Sequence, residues 1–215
     1  MSVVKKEMMM YCFDTLLNKL IKYPMPKPEF DTNLEYGIFV TLEKKVFKQY
    51  ELRGCIGNLS PISLSSLSEY ALYSAFEDNR FHSLNASELP KLRVEVSLLY
   101  DFEDRDNVMD WEVGKHGIYI FIPYKHRILS ATFLPEVAEE QGWDKKTTLD
   151  YLAEKAGFFK PLTEEVLQTI KLRRYKTEKA YLTFSEYIKM TKARGRDALP
   201  YFESLDIPVT SEDLQ

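Results

Sequence analysis

At 215 residues the chain has room for one domain, or for one domain with a small lobe. A hydrophobic fraction of 45% supplies a core, and a formal charge of -4 with a pI near 5.6 argues against a broad nucleic-acid-binding surface. Two cysteines, Cys12 and Cys55, are too few for a disulfide framework, and without a Cys-x-x-Cys pair no metal site is expected. Both thiols read as free, which fits a reducing cytoplasmic or nuclear setting. Met8, Met9 and Met10 are followed by polar residues with no small-residue cleavage site, so no signal peptide is read. No apolar run approaches the roughly 20 residues that span a bilayer, and no membrane partner is expected.

The first predicted element is an amphipathic helix over residues 3–22, with Met9, Phe13, Leu16, Leu17 and Leu20 at helical spacing. Pro24, Pro26 and Pro28 then impose a stiff extended arm. Residues 37–42 alternate as a strand, residues 43–48 turn at an edge, and a second strand covers residues 52–57. Ser60 and Pro61 read as the N-cap and first position of a helix whose inner face is Leu64, Leu67, Ala71 and Ala75. The clearest strand is residues 93–102. Strands at 117–122 and 128–133 are joined through Pro123, Tyr124, Lys125 and His126. Short helices follow at 135–141, 145–156 and 163–170, then a charged strand at 172–184. The remainder, 191–215, reads as a polar tail broken by Pro200 and Pro208. Hairpins without regular strand–helix alternation favour α+β with a mainly antiparallel sheet flanked by helices.

Chemistry concentrates in Leu52-Arg53-Gly54-Cys55-Ile56-Gly57. Strand alternation puts Arg53 and Cys55 on one face, about 7 Å apart, where the cation favours a thiolate. Gly54 and Gly57 leave gaps, so the strand reads as the floor of a small binding site. The alternative is a Cys55 buried as a small hydrophobe. His116, in a glycine-flanked turn, is the histidine of choice as a base for Cys55, or else a turn residue with local hydrogen bonds. Arg80 joins Arg53 as an anion clamp, or pairs with Asp78 or Glu77 while Phe81 anchors the loop. The run Lys171-Leu172-Arg173-Arg174-Tyr175-Lys176 reads as a solvated edge strand, or as a phosphate-contacting patch.

The six-residue motif resembles the signature of the AMMECR family, named after the Alport syndrome, midface hypoplasia and elliptocytosis chromosomal region. The likeness continues through Phe39-Val40-Thr41, Glu69-Tyr70-Ala71-Leu72, Ser74-Ala75-Phe76, Asp78 and Arg80-Phe81. Glu88-Leu89-Pro90, Val96-Ser97-Leu98-Leu99, Asp110-Trp111 and His116-Gly117-Ile118 extend it, as do Leu134-Pro135-Glu136-Val137-Ala138 and Glu140-Gln141-Gly142-Trp143-Asp144. It covers about residues 8–190, and Tyr11-Cys12-Phe13-Asp14 resembles the eukaryotic branch. Leu42, Asn58, His82 and Phe133 stand where the family often has tryptophan, threonine, proline and tyrosine.

The resemblance implies one domain over residues 1–190, built as a larger and a smaller lobe with a cleft between. It implies no cofactor and no settled activity. Suggested roles lie in transcription, replication, repair or translation, and prokaryotic relatives are encoded or fused with Memo-like and radical-SAM proteins. With the residues above, the expectation is a protein that binds a small anion in a cleft near Cys55, with or without catalysis there. Cys55 and His116 would be the catalytic pair, and Arg53, Gly54, Gly57 and Arg80 would bind the ligand. The alternative is a non-enzymatic adaptor with a protein partner in a nuclear or cytosolic complex; a third, weaker reading is nucleic-acid binding through Lys171–Lys179.

Overall fold

The computed structural model describes residues 2–215. It is an α+β protein whose antiparallel sheet is flanked by helices. Two compact units are formed. The larger runs up to Leu98 and resumes at Glu178; the smaller is Leu99–Thr177.

In the larger unit, helix α1 (Lys6–Ile21) buries Met9, Phe13, Leu16 and Leu17 as the helical spacing predicts. It stops at Lys22, which takes a left-handed conformation (φ 60°) ahead of Pro24. Strands β1 (Glu35–Val46) and β2 (Gln49–Ser63) form an antiparallel hairpin longer than the sequence pattern suggests. Only Phe47 and Lys48 make its turn. Alternation on β1 turns Ile38, Val40 and Leu42 inward, all fully buried.

Pro61 does not open a helix: it lies within β2, the strand at one end of the sheet order β2-β1-β3-β6-β4-β5. An edge strand tolerates proline because its outer N–H groups have no ladder partner to lose. A 3₁₀ turn at Leu64–Ser66, capped by Ser63 rather than Ser60 through the Ser65 N–H at 3.2 Å, leads instead into α2 (Leu67–Phe76). The inner face is as expected: Leu64, Leu67, Ala71 and Ala75 are buried. A further 3₁₀ turn, Ala86–Lys91, precedes β3 (Leu92–Arg105), whose Val94, Val96 and Leu98 complete the sheet's contribution to this core.

In the smaller unit, β4 (Gly117–Tyr124) pairs antiparallel with β5 (Arg127–Phe133) and with β6 (Lys171–Thr183). Ile118, Ile120 and Ile122 of β4 pack with Leu149 and Leu152 of α4 (Lys145–Lys155), and with Trp111 and Leu172. Helices α3 (Pro135–Glu140) and α5 (Glu164–Leu167) are short; α5 covers only part of the predicted 163–170.

Back in the larger unit, α6 (Phe184–Ala193) is opened by a capping box between Thr183 and Glu186. The segment read as a polar tail contains α7 (Leu199–Glu203), and Ala198 and Phe202 are fully buried. Phe202 meets Phe184 edge-on at 5.4 Å, and Arg196 reaches the buried Asp14 at 2.9 Å. Asp14 also accepts the Tyr187 hydroxyl at 2.7 Å. Burial pushes the Asp14 carboxyl above its ordinary range, against the pull of these two donors.

Candidate functional site

The strand carrying the six-residue motif is irregular at its chemically important point. Leu42 pairs with Gly54 and Glu43 with Leu52, so Arg53 is an extra residue in β2, a β-bulge. The bulge breaks the two-residue alternation that would put Arg53 and Cys55 on one face. The two side chains accordingly have different surroundings. The Arg53 guanidinium meets Glu88 through Nε and Nη2, at 3.0 and 3.1 Å. The Cys55 Sγ instead accepts a hydrogen bond from Thr41 Oγ1, across the hairpin, at 3.2 Å. Cys55 is half-buried, whereas Cys12 is fully buried. A thiol reagent should therefore titrate one cysteine in the native protein and two in denaturant; two reactive thiols in the native state would contradict this packing.

The glycine gaps are filled by the protein itself. A Cβ on Gly54 would stand 2.0 Å from the Ser74 carbonyl oxygen of α2. One on Gly57 would stand 2.2 Å from the Ile38 carbonyl oxygen and 2.4 Å from the Phe39 ring, which lies across the hairpin from Gly57. These glycines serve close packing of the β2 backbone, not ligand access. The side chains around α2 then secure that edge. Asp78 Oδ2 accepts the Cys55 N–H at 2.9 Å, and Ser74 Oγ accepts the Ile56 N–H at 2.9 Å while donating to Val40 O at 2.7 Å.

Arg80 pairs with Asp78, the local reading open from the sequence: Nε to Oδ1 at 2.9 Å and Nη2 to Oδ2 at 2.7 Å. Its Nη2 also lies 3.4 Å from the Cys55 carbonyl oxygen. The Arg80 guanidinium, with the Cys55 and Arg80 N–H groups, holds the Asp78 carboxyl well below the usual carboxylate range despite burial. The Phe81 ring has both guanidinium groups over it, Arg53 at 5.9 Å and Arg80 at 5.5 Å.

Glu88 is the residue that sequence reasoning did not single out for this site. It is buried, and one oxygen takes Arg53 Nε at 3.0 Å and Lys44 Nζ at 2.8 Å. The other takes Arg53 Nη2 and the Asn85 N–H and amide, at 3.1, 3.1 and 3.0 Å. The Asn85-x-x-Glu88 spacing is a capping box, and that spacing was the available signal. Burial pushes the Glu88 carboxyl up, but Arg53, Lys44 and Asn85 outweigh it and hold it at about 2.

Between these groups lies a cavity of about 470 Å³, walled by Arg53, Asn79, Arg80, Phe81, His82 and Glu88 among others. Both arginines spend their Nε–Nη2 edges on internal carboxylates. Arg53 Nη1 is buried and has no hydrogen-bond partner. Arg53, Arg80 and Lys44 set three cations against the two carboxylates of Glu88 and Asp78.

His116 belongs to the smaller unit, whereas Cys55 belongs to the larger. Its Nδ1 accepts the Glu112 backbone N–H at 3.0 Å, and the His116 backbone N–H donates to Glu112 O at 3.0 Å. The ring proton therefore resides on Nε2. Burial, with Arg174 and Lys115 nearby, pushes the imidazole below its ordinary value, so it is neutral at pH 7.

The basic run of β6 is matched by acids. Arg173 holds Asp104, Arg174 holds Glu103 and Asp110, Lys176 holds Asp101, and Lys171 lies 3.7 Å from Asp106. This cancels the local positive field that phosphate binding by the run would use.

The AMMECR1 family profile matches residues 9–180, and so takes in both the six-residue motif and Glu88. The chain belongs to the AMMECR1 family. An uncharacterised Arabidopsis thaliana protein is 43% identical over 192 residues, spanning 87% of this chain and 89% of its own length. An uncharacterised Schizosaccharomyces pombe protein is 34% identical over 196 residues, spanning 89% of this chain and 99% of its own. Among solved structures, an uncharacterised protein of Pyrococcus horikoshii superposes with a TM-score of 0.60 at 27% identity, covering 83% of this chain and 93% of that one. AMMECR1 membership thus joins this chain to plant, yeast and archaeal proteins, each described only as uncharacterised.

Proposed function

We propose that the cavity beside β2 binds a small anionic ligand. The observation that carries this reading is that Arg53 and Arg80 wall one cavity of about 470 Å³, Arg53 with a buried Nη1 that has no acceptor. An oxyanion between Arg53 and Arg80 would offset the surplus cation. Asp78 and Glu88 hold the two guanidinium groups in place, and both groups lie within 6 Å of the Phe81 ring centre. The two cations beside that ring favour a compact carboxylate or phosphate as the ligand.

Cys55 supports this site through its backbone, bonded to Asp78 and Arg80. Its thiol is directed to Thr41, so the reading is one of binding, and no reaction is assigned to the thiol. His116 has its local pair with Glu112 and is given no part in it.

Calorimetric titration with inorganic phosphate and with small carboxylates tests the reading. Binding is expected to weaken about tenfold or more in Arg80→Ala, since charge-assisted contacts contribute about 1.5–3 kcal/mol each. The result that sinks it is equal heat, or none, from wild type and variant alike.

A further inference from the structure

The hairpin of β4 and β5 has an unusual charge pattern for an acidic protein. From Val113 to Pro135 there is no aspartate or glutamate, although the chain carries 33 acidic residues. The tip of this hairpin is Tyr124, Lys125, His126 and Arg127, with Tyr124 opposite Arg127. The loop after α4 joins it: the Phe158 ring meets Tyr124 edge-on at 5.5 Å, and Lys160 Nζ lies 5.4 Å from the Tyr124 ring centre. Lys125 Nζ sits over the same ring, also at 5.4 Å. Lys125, Arg127 and Lys160 are exposed, and none of them is within ion-pair distance of a carboxylate among the described residues. The contrast with Lys171, Arg173, Arg174 and Lys176 of β6, each of which has an acid, is within one unit.

Two large apolar side chains project from the same two segments. Ile128 is 67% exposed and Phe159 is 80% exposed. Both side chains therefore stand largely in solvent at the tip. Exposed apolar groups that share a tip with unpaired lysine and arginine are suited to a surface that is anionic outside and apolar beneath. No helix among the described residues is long and apolar enough to cross a membrane, so any such contact is peripheral.

We propose that the β4–β5 tip, with Phe159 and Lys160, is a docking surface for an anionic lipid bilayer. Lys125, Arg127 and Lys160 face the headgroups, while Ile128 and Phe159 enter the boundary with the acyl chains. A nucleic acid fits less well: Tyr124, the ring at the centre of the cluster, already packs with Phe158 and two lysine ammonium groups, and so competes poorly as a stacking platform for a base. The sequence expectation of no membrane partner rested on the absence of a spanning segment, and it leaves a peripheral contact open.

The test is co-sedimentation of the full chain with phosphatidylcholine vesicles, with and without about one-third phosphatidylserine. Wild type should pellet with the anionic vesicles and not with pure phosphatidylcholine, and salt should weaken the association. Each cation removed should cost about fivefold in partitioning, so Lys125→Glu with Arg127→Glu should abolish binding. Ile128→Ser with Phe159→Ser should also lower it, with no change in the circular dichroism spectrum, because both side chains are exposed. Absence of wild-type binding to the anionic vesicles overturns the proposal, as does binding that neither double variant alters. Capture of an oligonucleotide through Lys125 and Arg127, without vesicle binding, would assign the patch to nucleic-acid phosphate and equally overturn it.

Discussion

Gly54→Ala should unfold the protein or leave it barely stable, with a loss of about 4 kcal/mol or more. The added methyl would sit 2.0 Å from the Ser74 carbonyl oxygen, a backbone atom that no rotamer change can move. Relief demands that α2 lift from β2. That movement would strain the Ser74 bond to Ile56 and the Asp78 bond to Cys55 together. Gly142→Ala is the control. Its φ of +66° is unfavourable for alanine, but nothing lies within 4 Å of the new methyl, so its cost should be about 1 kcal/mol. Urea midpoints for the two variants measure the difference. Equal midpoints would show that α2 does not press on the edge strand.

Removing the Glu88 carboxylate should be nearly as damaging. Glu88→Ala strands Arg53, itself largely buried, together with Lys44, and breaking such a pair costs about 3–5 kcal/mol. The pH dependence separates this charge effect from simple loss of packing. The Glu88 carboxyl is held at about 2, against an ordinary value of 4.5. A lowered value in the folded state means stabilisation that is present above 4.5 and lost as the pH falls toward 2. The gap corresponds to about 3 kcal/mol. Urea unfolding of wild type from neutral pH down to about 3 should lose stability through this window. Glu88→Gln should start lower and lose less over the same range. Parallel curves for the two proteins would mean that Glu88 does not carry this share of the acid sensitivity. The same substitution frees the guanidinium edge of Arg53, so anion binding at the cavity should change with it.

Much of the architecture was legible in the chain because it is encoded locally. The helical spacing of Met9, Phe13, Leu16 and Leu17, and the alternation of Ile38, Val40 and Leu42, identify the buried faces directly. Family membership was legible for a similar reason: it rests on contiguous motifs that survive comparison residue by residue. Pro61 misled because the helix-opening pattern of serine and proline is also permitted in an edge strand, and only the sheet order says which strand is at the edge. The residues beyond 190 misled for the opposite reason. Ala198 and Phe202 are too sparse to show a period, yet they fill the core beside α6.

The candidate site divides along the same line. The sequence by itself determined the place, a glycine-bearing strand with Arg53 and Cys55, and a loop with Arg80 and Phe81. Tertiary structure alone decided what those groups do to one another. A single extra residue in the hairpin register sends Arg53 to Glu88 and leaves Cys55 with Thr41. Glu88 is 35 positions from Arg53, and the Ser74 carbonyl that fills the gap at Gly54 comes from α2. Such pairings are set by how a helix and a 3₁₀ turn pack against an edge strand. They leave no periodic trace in the chain, because hydrogen bonds and backbone contacts between distant segments depend on register and docking rather than on local composition.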